Sequence, residues 1–409
     1  MSGTRSEGGD VARDAADTAT GAGRGPTPAP AVDFFHAQPY PDWAAARRLE
    51  CPVLVQGGTY QVTRYADAEA VLRDGETFSS SINAEHIGQF MGDLILAMDG
   101  QEHRQYRNLV AKAFRASQLE RWEHTLIRPC IERLVDAIAP LGRADLVADV
   151  TARYPVEVIC GIVGVPLEDA ARFHEWANEI NTGPIDPPRG HAASRAMVEY
   201  LRPLVEERRA APRDDFLSDL VHAEVDGERL SEGKLYGFLR LLLPAGAETT
   251  FRVMGNCLFA LLTHPDVLAR VREDRSLLPD VIEETLRWES SVTMVSRVAT
   301  RDTEVAGCPV AAGTPINVLT GSANHDEARF EDPEEWRLGR PPRHHLAFGT
   351  GQHQCLGMHL ARLELRVGLG VILDRLPGLR LDPDRAAGAR IEGYAFRGPN
   401  TLPVLFDPA

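Results

Sequence analysis

The chain has 409 residues, with 44 Lys and Arg against 59 Asp and Glu and a formal charge of -15. Hydrophobic residues at 44% and charged residues at 25% are ordinary globular usage, enough for one large domain or two medium ones. The acidic balance without a long basic run argues against a general nucleic-acid binder. No stretch of about eighteen apolar residues is free of charge and proline, so no membrane span is expected, and the N-terminus has no apolar signal core.

Residues 1–32 are rich in Gly, Ala, Asp, Thr and Pro and cannot bury a core, so they are expected to be a disordered leader. The remainder, 33–409, shows no linker and no internal repeat and reads as one domain. Pro52–Val55 and Tyr60–Thr63 flank Gly57-Gly58, a hairpin signal. Helical spacing of apolar residues follows at 103–114, 118–139, 191–211 and 265–288. The longest helix is expected from about Ser231, an N-cap, to Thr263, and it is apolar nearly all round, so it lies inside the molecule. Strand signals return at 291–298, 303–317 and 390–406. The fold class is mainly α with small β-sheets.

Six cysteines are scattered without a CxxC pair, which disfavours structural zinc and iron–sulfur clusters. A disulfide framework is not expected at this size without a signal, so Cys51, Cys130, Cys160, Cys257 and Cys308 read as small buried hydrophobes. Within the long helix, Leu243-Pro244-Ala245-Gly246-Ala247-Glu248-Thr249-Thr250 places a proline, a glycine and a carboxylate in an apolar run. Each is locally unfavourable, which points either to a distorted turn beside a cavity or to a plain proline kink.

The sixth cysteine lies in Phe348-Gly349-Thr350-Gly351-Gln352-His353-Gln354-Cys355-Leu356-Gly357, before an apolar helical pattern. The glycines permit a tight turn, and the start of a helix favours thiolate at Cys355. A lone thiolate there suits an axial haem ligand. A catalytic cysteine or a phosphate loop is the alternative, although neither the dinucleotide nor the P-loop spacing is present.

At these residues the chain resembles the soluble bacterial cytochromes P450. The loop matches the family's F-G-x-G-x-H-x-C-x-G signature at every fixed position. Glu284-Thr285-Leu286-Arg287 matches the E-x-x-R pattern, with Arg340 as third member of a structural Glu–Arg–Arg cluster. Ala245 to Thr250 matches the oxygen-binding motif, and His103 to Arg107 the H-x-x-x-R pattern. These matches span residues 34–407.

The resemblance implies the P450 fold and haem b (iron protoporphyrin IX) with Cys355 as the iron ligand. His103, Arg107, Arg297 and His345 would bind the propionates, and Ala245, Phe348, Gly349 and Gly357 would line the haem. Glu248 and Thr249 would handle protons and O₂. Substrate contacts would come from 82–91, with His86 as a polar point, from Leu241, Leu242 and Ala245, from Val292, Thr293 and Val295, and from Tyr394 and Phe396. The activity implied is hydroxylation or epoxidation of a hydrophobic small molecule, in bacterial secondary metabolism; desaturation or phenol coupling is the alternative. A haem carrier without catalysis and a cysteine hydrolase are further alternatives, the first disfavoured by intact Glu248 and Thr249.

Electrons would come from a ferredoxin and its NAD(P)H-dependent reductase. The segment from Arg340 to Arg366 holds four arginines (340, 343, 362, 366) against Glu364, and Arg104, Arg107, Lys112 and Arg115 could join a basic docking face. The chain is expected to be a cytoplasmic monomer.

Overall fold

The computed structural model describes residues 26–29, 37–225 and 227–408. The expected leader lies outside the described residues except for 26–29. There Thr27–Pro28 (β1) pairs in parallel with Val53–Gln56 (β2), so this part of the leader joins a sheet. β2 turns through Gly57 and Gly58, at φ +56° and +81°, into Thr59–Val62 (β3), as the hairpin signal requires. With Phe78–Ser79 (β4), Val295–Ala299 (β5) and Pro315–Val318 (β6), the sheet order is β1-β2-β3-β6-β5-β4. This sheet brings Arg297, on β5, beside the N-terminal third of the chain.

Helices form the rest of the body. The long helix runs from Glu232 to Thr263, and Ser231 Oγ accepts the Lys234 N–H as its cap. Its C-terminal half is buried all round, from Val253 to Leu258 and again at Ala260 to Leu262. Proline at 244 does not end it, so the interruption is local. Two helical patterns are subdivided. The 118–139 stretch becomes Ala116–Trp122 and Arg128–Ile138 with a wide π turn between them. The 265–288 stretch becomes Pro265–Glu273 and Leu278–Trp288, broken where the Asp274 side chain accepts the Ser276 N–H. Periodicity continues across both breaks, so apolar spacing alone could not locate them.

One cysteine expectation is overturned. Cys51 and Cys308 form a disulfide, with Cα atoms 5.8 Å apart and 257 residues between them in sequence. They meet because the β2 region and the hairpin of Thr303–Val305 and Cys308–Val310 share a core with Val53, Val62 and Val310. Cys160 and Cys257 are buried and Cys130 half-buried, with burial pushing all three thiols up.

Candidate active site

The cysteine loop is fixed by backbone bonds. Cys355 N–H donates to Phe348 O at 2.8 Å, and Gly349 N–H to Leu346 O at 2.9 Å. Gly349 and Gly351 adopt φ +62° and +74°, the left-handed region that glycine enters without steric cost. At Gly351 a Cβ would also stand 2.4 Å from Leu72 O. The helix Met358–Arg375 then begins three residues past the cysteine.

Cys355 is exposed while its surroundings desolvate it. Together these describe a sulfur facing a concave space inside the protein. Burial pushes the thiol up; the Gly357 N–H, Arg107 and Arg362 act in the opposite direction, toward thiolate. The long helix also has an open stretch. Leu241, Leu242 and Thr249 are only half-buried and Ala245 is exposed, although the helix is otherwise largely internal. Their spacing of three and four residues puts them on one stripe. Thr249 Oγ1 donates to Ala245 O at 2.8 Å, so the hydroxyl tops this stripe beside a main-chain carbonyl. Gly246 serves packing instead. A Cβ there would meet Ile159 at 2.9 Å, so glycine lets the two helices approach closely.

A second group of residues lies at the rim. His103, on the helix Gly100–Ala111, is buried, and neither ring nitrogen has a partner. Burial holds its pKa down at about 4, with His353 and Arg107 acting in the same direction. Its ring stands 4.0 Å from that of His353. Arg107 donates to Gln354 O at 2.5 Å, tying this helix to the cysteine loop. Arg297 is buried and, among the described residues, donates only to Ser296 O, at 2.7 Å; burial pulls its pKa down to about 10, and Asp99 opposes that. Among the described residues no carboxylate makes an ion pair with Arg297. Unpartnered buried polar atoms and an uncompensated cation are costly unless an anion completes them. A thiolate-ligated haem with two propionates supplies that anion, and the residues present fit it.

His345 is not part of this rim. It is 3.2 Å from Glu283 Oε2, and Arg362 donates to the same carboxylate at 2.6 and 2.8 Å. His353, not His345, stands beside His103. The signal was available, since His353 lies two residues before Cys355 inside the same turn. Asp99, 3.8 Å from His353, and Arg252, beside Glu248, were also missed.

The Glu–Arg–Arg cluster forms as read. Arg287 donates to both oxygens of Glu284 at 2.8 and 2.9 Å, and Arg340 to Oε1 at 2.7 Å. Glu248 is buried and held through Oε1 by Arg252 Nε at 2.7 Å.

The substrate expectations divide. Val292 bridges Phe396, and both are half-buried, as is Val295. Thr293 and Tyr394 belong instead to the core: the Thr293 hydroxyl donates to Tyr394 O, and Tyr394 packs on Trp43 and donates to Gln61. Neither lies in a strand: the chain bends at Tyr394 and Ala395, and the Thr293 N–H donates to Ala395 O at 3.1 Å, which holds the two segments together on the Trp43 side. Phe90 and Met91 are likewise core, and His86 is exposed.

The expected basic face is also rearranged. Arg340, Arg362 and Arg366 are paired with Glu284, Glu283 and Glu123. Arg104, Lys112 and Arg115 are exposed and make no ion pair among the described residues. No helix among those residues is long and apolar enough to cross a membrane.

An exposed cysteine in a glycine turn, an open stripe on the long central helix and a buried Glu–Arg–Arg cluster together fit a haem-thiolate oxidoreductase. The chain belongs to the cytochrome P450 family and is a monooxygenase: the family model described as Cytochrome P450 matches residues 188–377. It is 36% identical over 353 residues to a mycinamicin IV hydroxylase/epoxidase of Micromonospora griseorubida, covering 84% of this chain and 89% of that one. It is 34% identical to the cytochrome P450 monooxygenase PikC of Streptomyces venezuelae, covering 90% of this chain and 91% of that one. Among solved structures it is similar to HmtN, a post-tailoring hydroxylase involved in himastatin biosynthesis, with TM-score 0.80, 36% identity, and 90% and 97% coverage.

Proposed function

We propose that residues 33–409 act as a single haem b monooxygenase domain that hydroxylates or epoxidises a medium-to-large hydrophobic molecule of secondary metabolism. The observation that carries this reading is the half-open stripe Leu241, Leu242, Ala245 and Thr249, which offers an apolar floor ending in one hydroxyl. Val292, Val295 and Phe396 are half-buried apolar residues suited to the walls. Relatives and neighbours named as tailoring hydroxylases support a secondary metabolite as substrate.

When bound, haem supplies the oxygen chemistry. Cys355 would hold its iron; His103, Arg107, Arg297 and His353 would hold its propionates. With its own proton on Ala245 O, Thr249 Oγ1 is placed to accept a hydrogen bond at the head of the stripe, and Glu248 is placed to supply protons toward it. Arg104, Lys112, Arg115 and Arg343 form the exposed charge for an acidic ferredoxin, which receives electrons from its NAD(P)H reductase. A cytoplasmic setting and a monomeric state complete the proposal.

The test is a screen of hydrophobic ligands by spin-state shift, followed by product mass with ferredoxin and reductase. A gain of one oxygen supports the reading. A loss of two hydrogens, or a coupled dimer, would replace it with desaturation or phenol coupling.

A further inference from the structure

The carboxylate of Glu248 is only half used. Arg252 binds Oε1 through Nε and Nη2, at 2.7 and 2.5 Å, while Oε2 is buried without a hydrogen-bond partner. The helix Ala170–Asn181 packs over the long helix and contributes His174, whose ring lies edge-on to that of Phe251, three residues past Glu248, at 6.3 Å. His174 Nε2 stands 3.1 Å from the Asn178 amide nitrogen, which donates to it. The ring proton is thereby assigned to Nδ1, and Nδ1 is buried without a partner. An unpaired donor and an unpaired acceptor therefore belong to two electrostatically coupled residues. The charges that act on the ring are Glu248 and Arg252: burial lowers the His174 pKa, Glu248 opposes this and Arg252 adds to it. His174 itself is half-buried, between exposed Arg172 and Glu175 on its outer side and the buried carboxylate.

We infer that His174 is the outer station of the proton path to Glu248, joined to Oε2 through a bridging water. This rests on the reading of Glu248 as the proton-relay acid. A buried carboxylate oxygen and a buried imidazole N–H, both unsatisfied, are groups that an ordered water can satisfy together. The step balances within the ring. Nδ1 releases its proton through the water to Oε2, and Nε2 takes one from solvent. The Asn178 amide turns over to offer its oxygen to the new N–H, and the ring ends as its other tautomer. Arg252 fixes Oε1, so Oε2 is the oxygen that accepts and passes on the proton. His174 acts through Glu248 and is a positioning and relay residue, not a catalytic one.

The test uses the haem-loaded protein and has two readouts. In the reduced, carbon monoxide-bound state, the His174 pKa is followed by NMR on histidine-labelled protein. It is expected to fall in Glu248→Gln, where the opposing carboxylate charge is lost, and to rise in Arg252→Met. The second readout is product and peroxide formed per NAD(P)H, together with the solvent isotope effect. His174→Phe keeps an aromatic ring and is expected to lower coupled turnover about tenfold and raise the isotope effect, a modest part of the roughly 10²–10⁴-fold that positioned proton transfer supplies. His174→Asn, which keeps a donor near Nδ1 but cannot relay through a ring, is expected to behave likewise and guards against a packing fault. If Glu248→Gln is impaired while both His174 variants match wild type, the inference is overturned and the role of Glu248 stands. An unaltered His174 pKa in Glu248→Gln also overturns it. Normal coupling in Glu248→Gln overturns both readings.

Discussion

Arg297→Met separates a structural arginine from a propionate ligand because the two make predictions of opposite sign. Arg297 is 5% exposed, and among the described residues its one hydrogen bond goes to its neighbour's carbonyl, Ser296 O. Burial depresses its pKa to about 10, with only Asp99 opposing. One pKa unit is about 1.4 kcal/mol, so a depression on this scale disfavours the charged form by about 3 kcal/mol in the haem-free chain. Methionine keeps the bulk and removes the charge. The haem-free variant is therefore expected to match wild type or to gain up to about 3 kcal/mol in denaturant unfolding. Haem retention moves the other way. Losing one buried charge-assisted partner at about 3 kcal/mol weakens it about 100-fold. Transfer of haem to an excess of a haem-scavenging globin measures the second quantity. Unchanged retention, or a haem-free variant that is less stable than wild type, would refute the assignment.

Three further outcomes are expected. Arg287→Ala leaves Glu284 buried and short of its main partner, and should cost about 3–5 kcal/mol in denaturant unfolding, because a broken buried pair strands its other charge. Glu283 is held at about 2: burial works against its charge, but bonds from Arg362 and His345 win. A depressed carboxylate contributes stability that is present above its unfolded pKa and lost as pH falls. The gap between wild type and Glu283→Gln should thus be flat above about pH 5 and close toward pH 2; solvent exposure keeps it under about 1 kcal/mol. Thr249→Ala removes the only hydroxyl on the open stripe and should divert electrons into peroxide; an unchanged ratio of product to NAD(P)H would count against its role.

Much of this was legible in the sequence wherever the chemistry is local. The cysteine turn, the cap at Ser231 and the pairing of Glu284 with Arg287 each lie within ten residues, and the structure reproduces them. Features that depend on distant chain segments were not legible. The Cys51–Cys308 bridge spans 257 residues and has no local signature. His345 and His353 both flank the cysteine loop, and only the fold shows that His353 meets His103 while His345 meets Glu283. Thr293 and Tyr394 sit on the expected segments, but the bend at Tyr394 and contacts with distant Trp43 and Gln61 take them into the core. The membership of the basic face was not legible for a similar reason: counting arginines along the chain cannot show that Glu284, Glu283 and Glu123 pair with three of them.

The central claim is that Cys355, as thiolate, is the ligand of the haem iron. The most direct measurement is the absorption spectrum of the reduced protein under carbon monoxide, for wild type and Cys355→Ser. The strongly red-shifted Soret band of thiolate ligation is expected in wild type and should be absent from Cys355→Ser. A wild-type band at the position given by histidine ligation, or a red-shifted band that survives the substitution, would contradict it.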